Sequence, residues 1–342
     1  MIKMVWTVPL ICLLALAGPF FLAADELPKP VRVAVALSFV HPGRWDNDLA
    51  AMKEQAASLG LELMVEVAGS NQMQQNSQVD KMLSRRPDIL ILSAQDAAGA
   101  ASIIKNAHLR GVKVIAYDRL VLNAGADLYI TFDNEKIGEL QANYLIAKAP
   151  EGDYILLSGA PTDNNSRQLM AGAMKVLKPL IDSRQIRVVG EGPVIGWEAA
   201  EARDLVDMAL NNTAKPAAVL APNDMTASGA IDALAIRGLA GRVPVSGQDA
   251  DPAAVRRIMA ETQSMTVFKD SSLLVRQALE LAAKLAGDES ASDLATEQTW
   301  DGSHFVPTLK LEPVLVDQSN LEQVLISSGV LRYDQVYGRP NF

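Results

Sequence analysis

The sequence has a single cysteine, three histidines and no run of basic residues. Each shortage removes a class of function. Cys12 lies inside an apolar N-terminal run, so the chain beyond that run has no cysteine with which to form a disulfide. A chain with a large core needs none, even in an oxidising compartment. His41, His108 and His304 are scattered, and neither H-E-x-x-H nor a cysteine cluster occurs. The pattern therefore predicts no metal site and no cofactor. The 31 basic side chains stand against 40 acidic ones, a formal charge of −9. With no basic stretch, a nucleic-acid partner is disfavoured.

What is present begins with an export-type N-terminus. Lys3 precedes an almost wholly apolar stretch from Val5 to Phe21, and Leu22-Ala23-Ala24 offers small residues before Asp25. This reads as a cleaved secretory signal over residues 1–24. The competing reading is a retained membrane anchor, because the apolar run is nearly long enough to span a bilayer. Pro9 and Gly18-Pro19 argue against a continuous helix there, and no lipobox-like triplet precedes Cys12. At 342 residues the chain is long enough for two domains.

From Val31 onward, short apolar runs alternate with segments of helical periodicity. Strands are predicted at Val31–Leu37, Leu61–Val67, Asp88–Leu92, 112–117 and Leu128–Phe132, separated by helices that end at Gly60, Pro87 or Gly111. The alternation then restarts, with strands at Asp153–Leu157, Ile186–Val189, Ala217–Ala221, Val243–Ser246 and Met265–Phe268. Residues 288–297 read as a loop. A strand at Val314–Val316 and a helix at Asn320–Ile326 close the pattern. Such βαβ rhythm predicts mainly parallel sheets with helices on both faces. The strand count exceeds eight, which favours two doubly wound lobes over a single eight-fold barrel.

Polar clusters recur where the apolar strands stop: Arg44-Trp45, Asp118-Arg119, the loop 159–165, Gly196-Trp197, Asn223-Asp224, the segment 247–251 and Lys269. The C-terminal edge of a parallel sheet is where ligands bind. Carboxylates accept hydrogen bonds from hydroxyls, Arg, Asn and Lys donate, and Trp presents a flat apolar face. That set suits a sugar ring. It suits proton transfer poorly, since no His stands in any cluster, and no catalytic residue is predicted. Each residue also has a plainer explanation. Asp163, Asn223 and Asp224 are good helix N-caps, and Trp45 and Trp197 are of a type that more often packs than stacks.

Taken together, Arg44-Trp45, Ala116-Tyr117-Asp118-Arg119, Phe132-Asp133-Asn134-Glu135, Pro161 to Asn165, Gly196-Trp197, Asn223-Asp224, Ser246 to Asp251 and Met265 to Lys269 resemble the periplasmic D-xylose-binding proteins, a branch of the type I periplasmic binding proteins of ABC sugar importers. The resemblance implies two Rossmann-like α/β lobes joined by a three-segment hinge, with a monosaccharide closed between them. It implies ligand contacts from Arg44, Trp45, Asp118 and Arg119 in the first lobe, and from Asp163, Asn165, Trp197, Asn223, Asp249 and Lys269 in the second lobe and hinge side. Trp45 and Trp197 would sandwich the ring.

The same resemblance implies a signal segment at 1–24, a first lobe of 25–134 plus about 270–302, a second lobe of 135–269 plus about 303–318, and a C-terminal helix and tail at 319–342. It implies a periplasmic, non-enzymatic monomer that binds D-xylose or a related aldose and delivers it to an ABC permease. A related branch presents several sugars to a sensor kinase or chemoreceptor, and Phe268-Lys269-Asp270 matches that form. A barrel glycosidase with paired carboxylates and a sugar-responsive repressor are weaker alternatives. The repressor would need a basic DNA-reading segment where the apolar run stands.

Overall fold

The structure is a computed structural model that describes residues 1–2, 29–38 and 44–338, with side chains described from residue 49 within the first helix. Apart from its first two residues, the expected signal segment lies outside the described residues. The chain divides into the units Met1–Pro30 and Val31–Phe342, and everything below concerns the second.

The first lobe contains β1 (Arg32–Leu37), α1 (Arg44–Ser58), β2 (Glu62–Val67), α2 (Gln72–Ser84), β3 (Ile89–Leu92), α3 (Ala101–His108), β4 (Lys113–Tyr117) and β5 (Leu128–Phe132). The chain then crosses to the second lobe with α4 (Asn134–Lys148), β6 (Gly152–Ser158), α5 (Asn164–Asp182), β7 (Ile186–Pro193), α6 (Ala199–Ala209), β8 (Ala218–Leu220), α7 (Asp224–Ile236), α8 (Pro252–Met259) and β9 (Thr266–Phe268). It returns with α9 (Ser271–Ala286), α10 (Ala291–Leu294), β10 (Glu297–Trp300) and β11 (Phe305–Leu311). A third crossing leads to β12 (Val314–Val316), a π-helical turn at Glu322–Ser327 and α11 (Tyr333–Tyr337).

The first sheet has seven strands in the order β10-β11-β5-β4-β3-β1-β2, parallel except for β10. Its inner strands are buried on both faces, which is why they read as continuous apolar runs. Val33, Val35, Leu37, Ile89 and Ile91 pack with residues of α1 and α9 on one face. Ala34, Ala36, Leu90 and Leu92 pack with α2 and α3 on the other. Each fully buried Val, Ile or Leu is worth roughly 1.5–3 kcal/mol of hydrophobic stabilisation.

The second lobe has parallel strands in the order β7-β6-β8. It is continued by a bridge between Val219 and Val245, by backbone hydrogen bonds between 247–249 and Val267, and by the antiparallel pair β9-β12. The helices α4 and α5 lie close enough that a Cβ on Gly138 would stand 1.9 Å from the Leu169 carbonyl oxygen, and one on Gly172 would stand 1.9 Å from that of Glu135. Only glycine permits this backbone-on-backbone contact.

Two sheets exclude the single barrel. Three expectations are corrected. The segment 288–297 is not simply a loop, because α10 lies within it and β10 starts at its end. The predicted strand Val243–Ser246 is reduced to the Val245 bridge. The predicted helix Asn320–Ile326 does form, as a π-helix over Glu322–Ser327. The third crossing comes after Leu311 rather than near 302, because β11 pairs with β5 in the first sheet.

Candidate functional site

The C-terminal edges of the two sheets face one another around a small cavity of about 60 Å³. It is lined by Asp118, Arg119, Asn134, Asp163, Asn165, Leu169, Trp197, Asn223, Gln248, Asp249 and Lys269. Eight of the ten residues singled out from the sequence therefore meet in one place. Arg44 and Trp45 open α1, but their side chains lie outside the described residues.

Asp118 and Arg119 leave the end of β4. Asp118 adopts a left-handed backbone, φ 62°, a conformation uncommon outside glycine. Three donors hold its carbonyl oxygen: Tyr129 Oη at 3.2 Å, Thr131 Oγ1 at 3.0 Å and Asn165 Nδ2 at 3.0 Å. Asn165 belongs to the second lobe, so this last bond spans the cleft. Burial pushes the Tyr129 hydroxyl pKa far above its ordinary value, reinforced by the charges of Asp118 and Asp163, so the phenol stays neutral and donates.

Arg119 also reaches across. Its Nη2 lies 2.9 Å from Asp163 Oδ2, while Nη1 donates to the Ala94 carbonyl at 3.3 Å. Asp163 caps α5 as well, because its Oδ1 accepts from Asn165 N at 3.0 Å. Asp163 thus caps α5 and lines the cavity at once. A backbone bond from Ala97 N to the Thr162 oxygen, 2.9 Å, lies beside this pair.

On the second lobe, Trp197 sits at φ 58° after β7. A Cβ on Gly159 would fall 2.0 Å from its ring, so the glycine makes room for the indole. Asn223 caps α7 in a reciprocal box with Thr226, whose N–H and hydroxyl both donate to its Oδ1. Lys269 follows β9 and pairs with Asp249 at 3.0 Å. Asp224, read from the sequence as a cap, is a buried organiser instead. It accepts from Gln263 Nε2, Thr266 Oγ1 and Asp251 N at 2.7–3.0 Å. Burial, with Asp251 and Asp249 nearby, raises its pKa well above the carboxylate range.

Sequence reasoning missed Asn134, Leu169 and Gln248. Asn134 lies in a quoted motif, and Gln248 adjoins Asp249. Leu169 carried no signal, being an ordinary apolar position on α5. The arrangement suits an uncharged, hydroxyl-rich ligand. Its ion pairs are matched within the protein, while Asn165 Oδ1, Trp197 Nε1 and Gln248 Oε1 are buried without a hydrogen-bond partner among the described residues. Buried polar atoms are normally satisfied, so a ligand that brings donors and an acceptor completes the site.

Residues 33–290 match a family model described as a periplasmic binding protein domain. The chain is 41% identical over 303 residues to the D-xylose-binding periplasmic protein of Escherichia coli, covering 88% of this chain and 91% of that one. It is 32% identical to the multiple sugar-binding periplasmic receptor ChvE of Rhizobium radiobacter, covering 94% and 97%. Among solved structures, an ABC transporter solute binding protein from Clostridium phytofermentans with bound β-D-glucose superposes with a TM-score of 0.81 at 29% identity, covering 89% of this chain and 99% of that one.

Proposed function

The chain belongs to the periplasmic binding protein family, and from that premise we propose that it is the substrate-binding protein of an ABC sugar importer, binding one monosaccharide, D-xylose foremost, between its lobes. The observation that carries the reading is the cavity itself, whose lining residues include two ion pairs and three buried polar atoms without a hydrogen-bond partner among the described residues. Asp118 and Asp249 accept sugar hydroxyls. Arg119, Asn223 and Lys269 donate. The Trp197 indole, set against Gly159, covers a C–H face of the ring, and Arg44 and Trp45 complete the first-lobe side. The lobes close about the three crossings, and the closed form is the one delivered to the permease.

The reading is binding without turnover, in the periplasm, by a monomer exported on the segment 1–24. No helix among the described residues is long and apolar enough to cross a membrane. Micromolar affinity requires only about −8 kcal/mol, within reach of several charge-assisted hydrogen bonds and one stacked ring. The test is calorimetric titration with D-xylose, glucose, galactose, arabinose and ribose. Saturable heat with at least one is expected, and D-xylose should bind tightest. No heat from any of them overturns the proposal, as does unchanged affinity in both Asp118→Ala and Asp249→Ala. A second reading, a receptor that takes several aldoses and presents them to a sensor, is favoured by the likeness to ChvE along 94% of the chain. Comparable affinities across the panel would support it.

A further inference from the structure

Gln248 lines the cavity and is only 4% exposed. Its Oε1 is buried without a hydrogen-bond partner among the described residues. Its backbone, by contrast, is tightly held. The Gln248 carbonyl accepts from Asp224 N at 2.9 Å, and Asp249 N donates to the Val267 oxygen at 2.9 Å. The preceding Gly247 carbonyl accepts from Gln141 Nε2 at 3.0 Å. A Cβ on Gly247 would lie 2.1 Å from Asp224 Oδ1, so the turn sits directly on that carboxyl. The amide is thus presented to the cavity from a rigid base.

A buried amide oxygen kept without a donor is costly unless a ligand supplies one. Unlike the charged residues of the cavity, an amide both accepts and donates. It therefore suits a hydroxyl that donates to Oε1, with a neighbouring ring substituent that accepts from Nε2. We propose that Gln248 is a ligand-contacting, specificity-determining residue that reads one hydroxyl of the sugar and disfavours aldoses in which that hydroxyl is removed. The assignment rests on the sugar-receptor reading above.

The experiment is a thermodynamic cycle by calorimetry on the whole chain. The tightest-binding aldose and its singly deoxygenated analogues are titrated into the wild type, Gln248→Met and Gln248→Glu. Met keeps the length but loses the hydrogen bonds, and Glu keeps the acceptor. In the wild type, one particular deoxygenation should weaken binding about 10- to 100-fold. In Gln248→Met the parent sugar should weaken by a similar factor, and that same deoxygenation should then cost less than about twofold. Gln248→Glu should retain the dependence on that hydroxyl. Equal affinities for wild type and Gln248→Met, or a uniform loss across all analogues, overturn the assignment and leave the receptor reading intact. No saturable heat from the wild type overturns both. Melting curves accompany each variant, and if Gln248→Met is unfolded, loss of the hydroxyl dependence in folded Gln248→Glu counts against the assignment.

Discussion

Arg119 and Asp163 meet across the cleft at 2.9 Å, one from each lobe, and both side chains are almost wholly buried. Arg119 is carried by the end of β4 and Asp163 by the start of α5. Their contact needs the lobes to be together, and it joins the lining of the cavity to the N-terminal cap of a helix.

Breaking that pair should weaken ligand binding. Asp163→Asn keeps the cap, because Asn caps as well as Asp, but removes the charge. Arg119→Met removes the other partner. Each single change should cost about 2–5 kcal/mol of affinity, and the double change less than their sum. Calorimetry on the four proteins checks this. Single variants that bind within about threefold of the wild type would remove the pair from the closed state.

Gly159→Ala would put a methyl group 2.0 Å from the Trp197 ring. The indole must move, since overpacking of this kind typically costs about 1–3 kcal/mol. Affinity should fall by about tenfold or more, with an accompanying change in tryptophan fluorescence. Unaltered fluorescence and affinity would show that the indole does not depend on that space.

The Asp224 carboxyl has a pKa raised by burial and by Asp251 and Asp249, so the folded protein holds its proton more tightly than the unfolded chain. Its contribution to stability is fully present below the unfolded value of about 4 and is lost as pH rises toward the folded value. Asp224→Asn cannot titrate. The difference in melting temperature between wild type and variant should therefore shift with pH above about 4, in favour of the variant as pH rises. Parallel profiles would contradict the raised pKa.

Asp301 carries the opposite sign. It is fully buried and accepts from the backbone N–H groups of Ala124, Gly125, Ser303 and His304 at 2.7–2.9 Å. Despite its burial, these bonds hold its pKa at about 2. The stabilisation is present above the unfolded value of about 4 and is lost as pH falls toward 2. Asp301→Ala should lower stability by about 2–3 kcal/mol at neutral pH, measured by urea unfolding. A loss below about 0.5 kcal/mol would mean the loop orders itself without the carboxylate.

Much of the fold was legible because its signal is local. Doubly buried strands such as Val33–Leu37 and Ile89–Leu92 must be apolar throughout, and the glycines and prolines after the helices mark their ends. The strand-end clusters were legible for the same reason, because a parallel sheet sends all its C-terminal ends to one edge. The hairpin β10-β11 was not legible. Its strands are half exposed, and its place beside β5 is fixed by pairing across more than 170 residues.

The site divides along the same line. Which residue types stand at the sheet edges follows from the spacing of apolar runs along the chain. The partners each residue takes there were set by long-range packing. It paired Arg119 with Asp163 and Lys269 with Asp249, gave Asp163 a cap and an ion pair together, and placed Asp224 beneath the turn rather than at the cavity wall. It also left Gln248 Oε1 buried without a hydrogen-bond partner among the described residues. These outcomes depend on distances between segments far apart in the chain, and those are set only when the helices and sheets pack.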